Sequence, residues 1–163
     1  MQNILSNYKE LSTQWNTYRD KGTKIANTLI NKHLEIVYLD AHTVTPSLCN
    51  NLHLKYQLEK NLFQTLVDLY QKLYSCYSEL KIISESFNRI PLTLTIMIVN
   101  YFLEIFLMYE KSLENKEVIL NNILSIQDRE ELVVLISSWS HDIHINYTTI
   151  DQIEEMFNIT SYG

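Results

Sequence analysis

The sequence predicts an all-α fold: an elongated helical bundle with long antiparallel coiled-coil-like helices and short C-terminal helices. Three observations lead there. Leu62, Leu66, Leu69, Leu73, Cys76, Leu80, Ile83 and Phe87 step alternately by four and three residues, the spacing that keeps one helix face on a partner helix. Beside this seam, Tyr56, Phe63, Tyr70 and Tyr77 recur every seven residues. In heptad terms the seam is a and d and the aromatic line is e. A two-helix zipper places charge at e, so an apolar a/d/e stripe means contact with two neighbours and a bundle of three or more helices. Finally, the 163 residues include only two glycines, Gly22 and Gly163, and two prolines, Pro46 and Pro91, whereas all-β and Rossmann-type folds usually need many more turn glycines.

The first helix is expected over residues 7–32, with Asn7 and Glu10 as a capping pair. Tyr8, Leu11, Trp15, Tyr18, Gly22, Ile25 and Leu29 step by three and four. Gly22 lies on that stripe, where glycine costs about 1 kcal/mol but lets another backbone come close. It marks either a close helix crossing or a break, and the periodicity running through it favours the crossing. Residues 33–50 lose the rhythm, and Ile36-Val37-Tyr38-Leu39 resembles a strand. With no second strand to pair with, this stretch reads as an ordered connection. Pro46 precedes the second helix, expected over 51–88, and Pro91 closes that segment because the residue before a proline is pushed off helical angles.

Leu92 to Tyr109 is the most apolar run. Asn100 and Glu104 near its middle, with Thr93 and Thr95, argue against a membrane span, since a mid-bilayer carboxylate costs about 2.5 kcal/mol or more. The run reads instead as the innermost helix, over 93–125, continuing through Leu113, Leu120, Ile123 and Leu124 with an outer face at Glu114, Lys116, Glu117 and Asn121. Asp128 and Glu131 start a fourth helix over 129–140, with Leu132, Leu135, Ile136 and Trp139 on one face. A short fifth is expected over 149–157, beginning at Thr149 with Gln152 as its capping partner and Ile150, Ile153 and Phe157 inward.

At 46% hydrophobic residues, the chain can bury one core, and a single helical domain over 1–163 is expected. The net charge of −6 argues against affinity for nucleic-acid backbone, which needs clustered Lys and Arg. Residues 1–32 carry +3 through Lys9, Arg19, Lys21, Lys24 and Lys32 against Glu10 and Asp20, while residues from 128 onward carry −6. Such polarity suits steering of a protein partner, and is equally the pattern of solvated helix faces. Cys49 and Cys76 read as reduced thiols. Residues 1–7 lack a basic flank and a continuous apolar run, so no signal peptide is expected, and the sequons at Asn146 and Asn158 read as chance matches.

Catalytic and cofactor chemistry finds little purchase. His141, Asp142 and His144 form the densest polar cluster, but their spacing is not that of a helix face carrying metal ligands, and a polar loop is expected instead. Two glycines cannot build a Walker loop or a dinucleotide fingerprint. Cys76 falls on the seam, and Ser137 and Ser138 lie in a helix rather than on a strained elbow. The aromatic e-line lacks the interleaved basic residues of a base-stacking platform. No catalytic residue, cofactor or metal is therefore expected.

Several stretches, taken in order, resemble the cyclin-dependent-kinase-interacting protein (CINP) family. They are Trp15, Asp20-Lys21-Gly22 and Ile25-Ala26-Asn27; Leu107-Met108-Tyr109-Glu110-Lys111; a break containing Asp128; Ser138-Trp139-Ser140-His141; and Glu154-Glu155-Met156. The likeness spans roughly residues 8–157. The chain departs from the family in a shorter connection between its first two helices and an apolar turn around Pro91. The resemblance implies a non-catalytic nuclear adaptor linked to DNA replication, the DNA damage checkpoint and cyclin-dependent kinases. It also implies membership of an AAA+ ATPase complex in which a CINP-like subunit pairs with a small helical protein, and a role in ribosome biogenesis at the large subunit. It supplies no catalytic residue. A partner surface is expected at Tyr56, Phe63, Tyr70 and Tyr77, with Trp15 and Trp139 as anchors, since aromatics dominate binding hot spots; the same side chains would equally fill an intramolecular core. A structural coiled-coil subunit of a kinetochore or tethering complex is the alternative.

Overall fold

A computed structural model of the chain describes the backbone of residues 2–41, 46–87 and 95–161, and side chains over 6–39, 51–85 and 99–155. The fold is all-α. Five helices run along the described residues: α1 (Gln2–Ala41), α2 (Pro46–Phe87), α3 (Thr95–Asn122), α4 (Arg129–His141) and α5 (Tyr147–Ser161). The expected break at Pro91 and the side chains of Cys49, Phe87, Thr93, Met156 and Phe157 lie outside the described residues.

α1 continues to Ala41, well past the expected end at residue 32, and the strand-like segment Ile36-Val37-Tyr38-Leu39 lies within its last two helical turns. Packing overrides the weak helix propensity of the β-branched pair. Leu29, His33 and Ile36 continue the buried stripe at helical spacing, and the intervening turn is tied to α2 through His33 Nδ1 and Glu59 at 2.6 Å and through Lys55 to Glu35. α2 begins at Pro46 rather than 51, a position where proline's missing N–H removes no helical bond. At 40 and 42 residues, these two helices are each about 60 Å long at the usual rise.

The seam lies where the periodicity placed it. Leu66, Leu69, Leu73, Cys76 and Leu80 are buried, and Leu62 and Ile83 partly so. Later residues of α1 meet earlier residues of α2: Lys72 lies over the Tyr18 ring, Glu59 meets His33, and Lys55 meets Glu35. α3 packs against both. Phe102 and Tyr109 meet Tyr8 and Trp15 of α1 edge-on at centroid distances of 5.8 and 4.9 Å, and Phe106 stacks on Tyr77 of α2 at 4.9 Å. Edge-on and offset contacts of this kind suit the ring quadrupoles.

α3 ends at Asn122, and a turn over 123–125 follows. Asp128 caps α4, accepting from the Glu131 N–H at 2.9 Å, with Glu130 and Glu131 in the first turn, where carboxylates suit the helix dipole. α5 starts two residues before the expected Thr149, because Asn146 is the cap and accepts from the Thr149 N–H at 3.2 Å. Gly22 marks a crossing. It lies inside α1 with the Trp139 indole against it, and a Cβ there would sit 2.8 Å from the ring. Lys116, expected on the outer face of α3, is instead fully buried. Among the described residues no helix is long and apolar enough to cross a membrane.

Candidate functional site

The chain's densest polar constellation lies inside the bundle, where α1, α3, the end of α4 and the start of α5 converge. At its centre Lys116 of α3 pairs with Asp142, both side chains being 0% exposed. Asp142 is the residue that ends α4. Its φ of 46° is left-handed, a conformation that Asp and Asn reach at lower cost than most side chains, and it turns the carboxylate inward instead of continuing the helix. Oδ1 accepts from Lys116 Nζ and from Ser112 Oγ at 2.6 Å. Oδ2 accepts from Trp15 Nε1 at 3.0 Å, from the Tyr147 hydroxyl at 3.1 Å and from Arg19 Nη1 at 3.3 Å.

Lys116 is held as firmly. Its ammonium lies 5.4 Å from the Trp15 ring centroid and 5.5 Å from that of Trp139, so one cation is sandwiched by two indoles that attract it. It also donates to Ser112 Oγ at 2.9 Å. Trp139 closes the far side, its Nε1 donating to the Arg19 carbonyl at 3.2 Å while its ring lies on Gly22. Only a glycine leaves room there.

Burial alone would raise the Asp142 carboxyl. The Lys116 charge and hydrogen bonds from Lys116, Ser112 and Trp15 outweigh it and hold the group below the ordinary carboxylate range. A buried pair of this kind is tolerated only when its remaining lone pairs and protons are also satisfied, and five donors meet that demand at Asp142. The arrangement joins elements; with both charged side chains sealed, it offers no group to a substrate.

The six residues expected to bind a partner separate into two sets. Trp15 and Trp139 are 0% exposed and hold the buried pair, so neither presents a surface. Tyr77 is also taken by the core: it is 9% exposed, stacks on Phe106 and donates to Glu110 at 2.6 Å. Tyr70 is half-buried and donates to Glu117 at 3.3 Å, its hydroxyl pushed up to about 12 by burial and that carboxylate. Phe63 is half-buried against the core, whereas Tyr56 is 43% exposed.

His141 and His144 face solvent while Asp142 points inward, so the three do not converge, and among the described residues no three His, Cys, Asp or Glu side chains gather around one point. The Cys76 thiol is pushed up to about 11 by burial, with Glu79 adding to the effect, which leaves it a poor nucleophile. A groove of about 440 Å³ between the start of α1 and the end of α2 is lined by Glu10, Leu11, Gln14, Glu79, Ile82 and Ile83, none of them part of the buried cluster.

Lys116 was recoverable from sequence. Leu113, Lys116, Leu120 and Ile123 keep the core's three-four-three spacing, and a lysine on such a stripe calls for a buried carboxylate. Nothing local identifies Asp142 as that partner, 26 residues away.

The chain matches no protein-family model, and no curated protein matches it.

Proposed function

We propose that this protein is a non-catalytic adaptor or scaffold subunit of a nuclear assembly linked to DNA replication, genome maintenance and an AAA+ ATPase complex, with a further part in large ribosomal subunit maturation. Its two long helices form an elongated, antiparallel coiled-coil-like arm on the bundle. The observation that carries the non-catalytic reading is the enclosure of Lys116 and Asp142: the titratable groups best placed for chemistry are both 0% exposed and committed to each other. The assignment to this assembly draws on the CINP resemblance. Four of the residues that carry it, Trp15, Gly22, Tyr109 and Trp139, meet at the buried cluster although they are spread along the chain, so the likeness follows one packing unit.

The test is affinity purification of the tagged chain from nuclear extract, followed by size-exclusion chromatography with light scattering. Co-elution with an AAA+ ATPase and a small helical protein is expected. A monodisperse monomer lacking both overturns the reading. The length of α1 and α2 favours a second reading, a structural coiled-coil subunit of a kinetochore or tethering complex; parallel self-pairing of α2 would select it.

A further inference from the structure

Apart from Lys116 and Asp142, one more titratable side chain is drawn into the fold and joins separate elements. His33 is 8% exposed and lies on the inward stripe of α1 between Leu29 and Ile36. Both of its ring nitrogens face acceptors. Nδ1 lies 2.6 Å from Glu59 Oε1 on α2, and Nε2 lies 2.9 Å from the carbonyl of Ile126, in the connection between α3 and α4. Glu59 is itself mostly enclosed, its side chain 12% exposed, so water does little to replace a lost contact. The charges nearby are engaged elsewhere: on α1, Lys32 pairs with Glu35; on α2, Lys55 pairs with the same Glu35; in the connection, Asp128 accepts from the Glu131 N–H.

A backbone carbonyl and a carboxylate only accept, so the two contacts together need two protons. The imidazolium supplies both, whereas neutral imidazole has one N–H and one lone pair. A proton shifted onto Glu59 across the 2.6 Å contact changes its address and not the count. We infer that His33 is a proton-operated clamp on the connection between α3 and α4, closed while both contacts hold a proton and open at the Ile126 carbonyl once the second proton leaves. The direction of opening follows from the acceptors. The remaining N–H stays at Nδ1 against the carboxylate, because a bond to a charged acceptor is the stronger one, and the Nε2 lone pair is left against those of the carbonyl. α1 and α2 therefore stay joined while residues 123–128 lose their hold. α4 remains anchored at its far end by Trp139 and Asp142, so the loosening is confined to the connection and the first turn of α4. Imidazole ordinarily changes charge between about pH 5 and 8, which makes the connection held at the lower end of that range and released at the upper.

Nitrogen-15 NMR of the full chain with labelled histidine tests this, the His33 signals being those lost in His33→Gln. At about pH 5 both ring nitrogens should carry protons, and towards about pH 8 only Nδ1 should. Amide exchange, expressed as protection factors to remove its intrinsic pH dependence, should show residues 123–128 losing about tenfold protection over the same range while residues 132–139 of α4 change little. Glu59→Gln separates a clamp from a merely structural contact. The amide it introduces donates to Nδ1, which lets the neutral ring donate from Nε2 to the Ile126 carbonyl, so protection of 123–128 should become independent of pH. A parent ring that keeps two protons, or only one, across the whole range overturns the inference, as does a neutral ring protonated at Nε2. Equal pH dependence of residues 123–128 in the parent and Glu59→Gln chains also overturns it, and should Glu59→Gln fail to fold, the parent titration decides alone.

Discussion

The inner half of the molecule and the far end of the α1–α2 pair, past the end of α3, use the same two helices differently. Where α3, α4 and α5 cover α1 and α2, Lys116 and Asp142 share an enclosed site with two indoles, two hydroxyls and a guanidinium. At the far end α1 and α2 are joined by simple pairs, His33 with Glu59 and Lys55 with Glu35, and Tyr38, Leu54, Tyr56 and Leu58 are exposed. The difference shows what each half is specified for. A hydrophobic seam alone lets helices slide by a turn, whereas a buried carboxylate with five donors from separate elements is satisfied in one register only. We infer that the inner half obtains its register from the ion pair, the best-attested role of a buried polar contact.

The largest separation between the halves comes from breaking the pair. Asp142→Asn removes the carboxylate that alone offsets the desolvation of Lys116, whose ammonium is already held below the ordinary lysine range by burial, and leaves a fully buried amine without its ionic partner; urea denaturation should show a loss of about 3–5 kcal/mol. Adding Lys116→Met to that variant removes the unpartnered amine and should recover part of the loss. Leu54→Ser, at a side chain 63% exposed on α2, should stay within about 0.5 kcal/mol. If Asp142→Asn costs no more than Leu54→Ser, the pair does not organise the inner half.

Acid should act on the same half first. Because the folded protein holds Asp142 below the ordinary carboxylate range, its contribution is fully present above the unfolded value of about 3.9 and is lost as pH falls through the lower folded value. Unfolding midpoints of the parent chain should fall steeply below about pH 4. Asp142→Asn, already destabilised, should show a shallower acid limb over that range, and parallel limbs would assign the acid sensitivity to other carboxylates.

Gly22 allows the contact to be examined without touching a charge. A Cβ there would meet the rigid, fully buried Trp139 ring at 2.8 Å, so Gly22→Ala should cost about 1–3 kcal/mol through overpacking, against about 1 kcal/mol gained in helix propensity. In a Trp139→Leu background the clash is absent and the same substitution should stabilise. A double-mutant cycle in thermal unfolding checks that reversal of sign.

How far these regions were legible follows from how far apart in sequence their determinants lie. The α2 seam, the Asp128 cap and the Gly22 crossing are set by residues close together or by one residue on a stripe, and periodicity finds them. The end of α1 was misread because Ile36-Val37-Tyr38-Leu39 has local strand character, while His33 and Ile36 are buried against elements that a local window does not contain. Asp142 was misread for a related reason: a lone charge in a turn reads as surface, and only the folded chain brings it to Lys116. Lys116 itself sits on the Leu113–Leu120–Ile123 stripe and was assigned to the outer face against that periodicity. Trp15 and Trp139 were expected as anchors of a partner surface, but both are 0% exposed and their rings lie against Lys116 inside the fold.

The smallest effects should grade the aromatic line itself. Tyr77→Phe deletes a buried hydroxyl donating to Glu110 at 2.6 Å, and a bond to a charged acceptor is worth about 1.5–3 kcal/mol. Because Glu110 keeps access to water, the loss should lie at the lower end. Tyr70→Phe deletes a longer bond to Glu117, 3.3 Å and exposed, worth about 0.5 kcal/mol. That order, Tyr77 then Tyr70, follows the thinning cover of α3 towards its end at Asn122. A Tyr70→Phe loss as large as that of Tyr77→Phe in urea titration would mean that the cover does not thin.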